Sequence, residues 1–318
     1  MFAPTSTSTP TPTPTASPAR TPTPIAWHRY RIRYVIREGG IGKLWMPLPR
    51  EWDGIGMKDV RVLDIFPPPT DRYQDGNGNE IAFWQIDDQS SREYGVVFEV
   101  SVQPIVYDID PNSIGAYDKA SELCQQYTRP STWVQSDYPE IIAQARQVVG
   151  DEQDPFRQAK LIHQWVARNI KSGEAVDALT ALHQRAGDCG PHAFLLVAML
   201  RSLGIPARSV AGMHARYTST FESASSQQRS MPGHVWAEFY LPSMGWVQLD
   251  ASAGEQNFAG ISEPRIILSK GEDIQLSHGY PLQPLAWFHT PHSDRMTGST
   301  PPTQTWGEEL RLEVERIR

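Results

Sequence analysis

The sequence predicts an α+β protein in which an antiparallel β-sandwich-like domain precedes a second domain of helices packed on an antiparallel sheet. Residues 27–107 alternate apolar and polar side chains with a period of two, which is typical of half-buried antiparallel strands. Residues 113–206 change to the apolar spacing of amphipathic helices, and residues 207–252 return to a period of two. This succession of periods predicts the fold class.

Four segments are expected along the 318 residues. They are a disordered Pro/Thr/Ser-rich linker (1–25), the β-sandwich-like domain (26–108), the helix-and-strand domain (109–285) and a C-terminal extension with a candidate edge strand (286–318).

The composition of the first segment predicts that it tethers the folded domains to a surface or membrane anchor. Residues 4–24 are almost entirely Pro, Thr and Ser, a composition that buries no apolar area and favours an extended, disordered stalk. We therefore expect export to the cell envelope or extracellular space, with an anchor or signal absent from this sequence. A low-complexity tail of a cytoplasmic protein is the alternative. Residues 1–25 lack the apolar core of a signal peptide, and no run of 18 apolar residues occurs.

Charge and cysteine usage exclude several classes of function. The net charge of −7 and the absence of Lys/Arg clusters argue against nucleic-acid binding. The two cysteines, Cys124 and Cys189, match no zinc or CxxC pattern, and a disulfide between them stays open. The stretch "DGNGNE" lacks the Gly and Glu of a calcium loop and predicts a hairpin turn instead. We assign no metal and no cofactor.

The strands of the first domain are read from two stretches, "YRIRYVI" (30–36) and "EYGVVFEVSV" (93–102), with Gly- and Pro-rich breakers between them. The helices of the second domain are read from apolar spacing. They are expected at 112–128, 139–150, 154–172, 176–187 and 189–203. Asp154 before Pro155 predicts an N-cap for the third.

Cys189 lies where a loop becomes the apolar helix "GPHAFLLVAMLRSLG". Unpaired N–H groups and the helix dipole favour a thiolate at this end. The same N–H groups can also stabilise an oxyanion during acyl transfer. Gly187 and Gly190 leave the thiol sterically open. These features predict Cys189 as a nucleophile.

Two later strands supply candidate partners for the thiol. His234 begins "HVWAEFYL", and Asp250 ends "GWVQLD" after a turn at 243–245. If the two strands form a hairpin, the start of one lies beside the end of the other. An imidazole base oriented by a carboxylate would result.

The stretches "GDCGPHAFLLVAMLRSLGIPARSVAG" and "GHVWAEFYLPSMGWVQLDAS" together resemble the core of the transglutaminase-like superfamily, over roughly residues 155–255. The resemblance implies a papain-like domain with Cys189 as nucleophile, His234 as base and Asp250 as orienter, in a bacterial architecture with a leading β-module. Animal transglutaminases also place an indole at the oxyanion, for which Trp165 is a weak candidate here. Nothing matches the calcium sites of those enzymes.

Such a site performs acyl transfer on amide bonds through a thioester. Hydrolysis of a peptide or protein substrate, in the cell envelope or outside the cell, is the favoured expectation. Protein-glutamine transamidation, which crosslinks proteins, is a second reading. A non-enzymatic scaffold or binding module is a third.

Overall fold

The structure, a computed structural model, describes residues 26–52, 56–88, 90–214, 233–242, 244–280, 283–295 and 310–317. The expected linker at 1–25 lies outside these ranges. Within them the chain has the α+β fold that the sequence predicts. No helix in the described ranges is both long enough and apolar enough to cross a bilayer.

The strands, numbered in chain order, are β1 (His28–Glu38), β2 (Gly42–Leu48), β3 (Met57–Phe66), β4 (Asp71–Gln74), β5 (Glu80–Ile86), β6 (Arg92–Val102), β7 (Ile105–Val106), β8 (Ala207–His214), β9 (Gly233–Leu241), β10 (Gly245–Leu249), β11 (Gly260–Ile261), β12 (Arg265–Lys270), β13 (His292–Arg295) and β14 (Leu310–Ile317). The helices are α1 (Glu122–Thr128), α2 (Pro139–Val149), α3 (Pro155–Asn169), α4 (Ala178–Gln184) and α5 (Cys189–Ser202).

Two antiparallel sheets form the sandwich, with strand orders β14-β1-β6-β3 and β13-β2-β5-β4. Alternate residues of each sheet face a shared core, as shown by Ile32 of β1, Leu44 of β2 and Phe98 of β6, all fully buried. Strands β13 and β14 bring the C-terminal segment back to this domain, and β14 lies at the edge of the first sheet beside β1. The "DGNGN" stretch is the turn of the β4–β5 hairpin, as expected.

A third sheet, of order β10-β9-β8-β12, forms the middle layer of the molecule. On one face, Val210 and Trp236 join the core of the sandwich. On the other, Ala237 and Phe239 join the core of the helices. A sheet buried on both faces has little freedom to shift, so residues at its strand ends are held in fixed positions.

The helices follow the sequence prediction with one exception. Asp154 caps α3, its carboxylate accepting the Arg157 N–H at 2.8 Å. The helix expected over 112–128 begins only at Glu122, where the Ser121 hydroxyl caps it. Tyr117, in the preceding segment, donates its hydroxyl hydrogen to the Tyr240 carbonyl at 2.7 Å and ties that segment to β9. This tertiary contact replaces the first turns of the expected helix.

Helix α5 runs through the centre of the second domain, and its residues from Gly190 to Arg201 are all buried. A helix that is apolar all round belongs in a core. Its N-terminus, which carries Cys189, points at the middle sheet, where Ala193 packs on Ala211 and Val235.

The middle sheet also buries an ion network. Glu238 of β9 accepts hydrogen bonds from Arg208 at 2.5 Å and from Lys270 at 2.9 Å. Burial alone would raise the pKa of Glu238, but the two cations hold it below its ordinary value. Trp246 covers the Arg208 guanidinium at 4.0 Å from its ring centroid. Glu238 is therefore a salt-bridge partner inside the sheet.

Removing the charge of this carboxylate should be costly, because it leaves two buried cations without the anion they share. We expect Glu238→Gln to lower the free energy of unfolding by about 3–5 kcal/mol in urea titrations. As a control, Glu315→Gln removes an exposed partner of Arg31 and should change stability by less than about 0.5 kcal/mol. Equal effects of the two substitutions would contradict this account.

Candidate active site

Cys189 is the first residue of α5, and Asp188 caps this helix by accepting the Gly190 N–H on its carboxylate at 3.1 Å. The thiol is free and half-buried. It packs against the small cluster of Ala193, Ala211 and Val235, and the backbone N–H of Val235 acts on it as a hydrogen-bond donor. The helix therefore delivers the sulfur to the residue that follows His234.

The electrostatics of the thiol differ from the sequence expectation. Burial raises the pKa of Cys189 to about 11, and the negative charges of Asp188 and Asp250 act in the same direction. The N–H groups of Val235 and Gly190 oppose this effect but do not outweigh it. The thiolate favoured by the helix dipole is thus not the resting form. The sequence shows the helix end, but not the desolvation or the neighbouring carboxylate charges.

His234 lies at the start of β9 and is buried between β8 and β10. Its Nε2 lies 2.8 Å from Oδ2 of Asp250. In the β9–β10 register Leu249 pairs with Ala237, so Asp250 and His234 are diagonal neighbours at the open end of the hairpin rather than directly opposite residues. The hairpin expected from the sequence brings these two residues together.

Asp250 is held from both sides. Oδ1 accepts the Ser252 hydroxyl at 2.7 Å and the N–H groups of Ser252 and Ala253 at 3.0 and 3.2 Å. Oδ2 lies 2.8 Å from Nε2 of His234 and accepts a hydrogen bond from Nη2 of Arg265 at 2.5 Å. Burial alone would raise the pKa of Asp250, but the His234 hydrogen bond and the Arg265 charge hold it far below its ordinary range. The carboxylate is therefore ionised at neutral pH.

Arg265 is a site residue that sequence reasoning missed. It begins β12 and is almost fully buried, with its guanidinium 4.8 Å from the ring centroid of Trp236. The same indole stacks beside the His234 ring, with centroids 6.0 Å apart and planes at 16°. Trp236 is thus a common platform for the imidazole and the guanidinium. The only sequence signal is a basic residue in an otherwise apolar strand, "RIILSK".

A second missed residue is Trp287, which lies between β12 and β13. Its six-membered ring packs on Gly190 so closely that an added Cβ there would lie 2.8 Å from Cζ3. It also packs against the same small cluster as Cys189. Trp165, the indole suggested from the sequence, instead lies on α3 under the Arg185 guanidinium, 4.6 Å from its ring centroid. Trp287, not Trp165, is therefore the indole beside the start of α5.

Two further histidines near the thiol, His192 and His289, make packing contacts. The ring nitrogens of His192 lie 2.7 Å from the Asp188 carbonyl oxygen and 3.2 Å from that of Ile170, so this residue joins the start of α5 to the end of α3. His289 packs against Gly233, and burial lowers its pKa to about 3, with the neighbouring His292 and His234 acting in the same direction. Within the described ranges, no group of three His, Cys, Asp or Glu side chains is arranged to hold a metal ion.

Comparison with known families gives the same assignment as the sequence. Residues 142–251 match the family model of the transglutaminase-like superfamily. The chain carries a transglutaminase-like domain. The matched region contains Cys189, His234 and Asp250, whereas Arg265 and Trp287 lie beyond its end.

Alignments with individual proteins cover more of the chain than this domain. A protein of Haemophilus influenzae is 25% identical over 252 residues, covering 69% of this chain and 66% of the relative, so just under two thirds of the relative's length is spanned. The crystal structure of a proposed cysteine protease from Cytophaga hutchinsonii aligns over 91% of this chain and 98% of its own, with 15% identity and a TM-score of 0.58. The fold is shared by that structure. The periplasmic domain of TgpA from Pseudomonas aeruginosa aligns over 71% of this chain and 87% of its own, with 15% identity and a TM-score of 0.37.

The carboxylate of Asp188 gives a direct test of the thiol's surroundings in the transglutaminase-like domain. Asp188→Asn keeps a good N-cap but removes a negative charge that raises the thiol pKa. We expect the pH profile of Cys189 alkylation by iodoacetamide to move to lower pH, as followed by peptide mass spectrometry that separates Cys189 from Cys124. The exposed Asp151, which is not among the groups acting on the thiol, provides the control Asp151→Asn. A profile that shifts in neither variant, or equally in both, would refute the assignment.

Asp250 also predicts a pH dependence of stability. Its folded pKa is lowered, so its contribution is complete above the unfolded value of about 4 and is lost as the pH falls below it. Between pH 5 and 3, the free energy of unfolding of the wild type should therefore fall more steeply than that of Asp250→Asn, by up to ~1.4 kcal/mol per pH unit. Urea titrations at several pH values measure both slopes. Parallel slopes would contradict an ionised, paired Asp250.

Proposed function

We propose that the protein catalyses acyl transfer at amide bonds, with Cys189 as nucleophile, His234 as general base and acid, and Asp250 as the group that orients the imidazole. The observation that carries this proposal is the 2.8 Å contact between His234 and Asp250, one residue away from the Val235 N–H that faces the Cys189 thiol. A nucleophile, a base and an orienting group in one place are what covalent catalysis requires.

The resting thiol is neutral, so proton transfer accompanies attack. Since Nε2 is committed to Asp250, we assign Nδ1 of His234 to the proton of the Cys189 sulfur. The S–C bond forms at the substrate carbonyl while Nδ1 takes this proton. The C–N bond then breaks, and the imidazolium returns the proton to the departing amine, which leaves a thioester on Cys189.

Hydrolysis is our favoured outcome for the thioester. His234 takes a proton from water as the water oxygen bonds to the carbonyl carbon. The C–S bond then breaks and the imidazolium returns the proton to the departing sulfur, which releases a carboxylic acid and restores the thiol and the neutral imidazole. Capture by a primary amine in place of water is the alternative and would give transamidation. The contact between Asp250 and His234 favours an enzyme over a scaffold, because a binding module needs no buried carboxylate aimed at an imidazole.

A peptide or protein is the proposed substrate, in the cell envelope or outside the cell. This location is supported by the Pro/Thr/Ser-rich segment at residues 4–24, which has the composition of a tether. On the basis of this composition, we propose that the protein is exported.

A peptide-library digest read by mass spectrometry tests the reaction. Incubation in oxygen-labelled water with a fluorescent primary amine distinguishes hydrolysis, which incorporates the label, from transamidation, which incorporates the amine. We expect labelled carboxylates from the wild type. Cys189→Ala and His234→Ala should lower the rate by about 10³-fold or more, and Asp250→Asn by about 10³-fold.

Cys124→Ala is the matched control, since Cys124 lies on α1 as a small core residue. It should retain the wild-type rate. Cleavage that persists in Cys189→Ala would exclude the proposed nucleophile, and amine incorporation in place of labelled oxygen would exclude hydrolysis.

A further inference from the structure

A cavity of about 230 Å³ adjoins the N-terminus of α5. Its walls come from three parts of the chain: Trp133 before α2, Ala175 and Asp188 near either end of α4, and the segment that carries Tyr280, Trp287 and His292. It has no role in the acyl-transfer steps derived above.

The cavity is continuous with the surroundings of the thiol. Asp188, at its mouth, is the residue immediately before Cys189 and is exposed. Trp287 forms one wall, and its six-membered ring packs on Gly190, the residue immediately after Cys189. The two residues that flank Cys189 thus border the cavity, Asp188 directly and Gly190 through the Trp287 indole.

The cavity lies on the cysteine side of the site. Neither His234 nor Asp250 lines it. The imidazole delivers a proton to the departing amine, so the leaving part of a substrate belongs on the histidine side. The part that stays bonded to Cys189 belongs on the other side, where the cavity opens.

The walls of the cavity are mainly apolar, and they include three large aromatic side chains. Trp133, Tyr280 and Trp287 present ring surfaces, which pack well against another aromatic ring. The buried His292, 2% exposed, adds no charge at neutral pH because burial lowers its pKa to about 4. Its Nδ1 lies 2.9 Å from the Tyr280 hydroxyl, which fixes both rings.

The volume limits what can bind. Sites for whole small molecules usually measure roughly 300–1,000 Å³, and this cavity is smaller. One large side chain is the occupant that its size and its aromatic lining fit together.

We propose that this cavity is a specificity subsite that receives an aromatic side chain of the substrate's acyl portion, close to the bond that Cys189 attacks. The inference rests on the proposed acyl transfer by Cys189. It names the substrate class as peptides that carry an aromatic residue on the carbonyl side of the cleaved bond.

Peptidyl chloromethyl ketones test the subsite, because the Cys189 sulfur displaces chloride and records acyl-side binding as a stable adduct. Four acetylated dipeptide probes carry Phe or Lys at either position with Gly at the other, and a Gly-Gly probe is the reference. Intact-protein mass spectrometry gives the labelling rates. We expect one Phe probe to react at least about tenfold faster than the Gly-Gly probe.

Filling the cavity should remove this preference. Ala175→Trp places an indole in the cavity from a half-buried position, and we expect the Phe and Gly-Gly rates to become equal. Val176→Trp, at a rim position that is 62% exposed, repeats the test if the first variant does not fold, as judged by circular dichroism. Ala116→Trp, exposed and outside the cavity, is the control and should keep the preference.

Iodoacetamide at pH 8 distinguishes failure of the subsite from failure of the proposed function. Alkylation of Cys189 that depends on His234, together with equal rates for all peptide probes, would overturn the subsite and leave the acyl-transfer proposal standing. A preference for a Lys probe would also overturn it, because Asp188 rather than the aromatic walls would then select the substrate. Alkylation that is unchanged in His234→Ala, with no peptide labelling, would overturn both.

Discussion

The carboxylate of Asp250 is the point on which the arrangement of the site depends. One of its oxygens bonds both His234 and Arg265, and the other is saturated by the turn that follows β10. A buried carboxylate is stable only when it is paired and hydrogen-bonded, so β9, β10 and β12 must meet at this position for the sheet to form. The contact that orients the imidazole is thus also a requirement of folding, and the site is assembled whenever the sheet is.

The β-sandwich contributes to the site although it supplies no reacting group. It covers one face of the middle sheet, and Trp236 from that face enters the sandwich core. Because this indole supports both His234 and Arg265, the packing of the first domain limits how far the imidazole can tilt. The return of β13 to the second sheet of the sandwich also anchors the segment that carries Trp287. The two expected domains therefore share the residues that shape the site.

Much of the fold and part of the site follow from local sequence patterns, and the exceptions have physical causes. The period of two predicts strands such as β1, β6 and β9, the period of 3.6 predicts α2 to α5, and the expected hairpin predicts the meeting of His234 with Asp250. Arg265 and Trp287 were missed because each reaches the site through tertiary packing, one from the start of a later strand and one from an irregular segment. The thiol pKa was misjudged for the same reason, because desolvation depends on what covers a residue. The late start of the first predicted helix, at Glu122, is likewise linked to a distant carbonyl, that of Tyr240, which holds Tyr117 in the preceding segment.

The neutral thiol has a consequence for how substrate binding and chemistry are linked. A preformed thiolate reacts with any accessible electrophile, whereas in the proposed mechanism the half-buried thiol, with a pKa raised to about 11, reacts as His234 takes its proton during attack. That transfer requires the carbonyl to be held against the sulfur, and positioning of this kind can supply a large part of a rate enhancement. Trp287 lies between the start of α5 and the aromatic cavity, so a side chain seated in the cavity would fix the acyl group relative to Cys189. In the proposed mechanism, the burial that raises the thiol pKa thereby favours reaction with the substrates that the cavity retains.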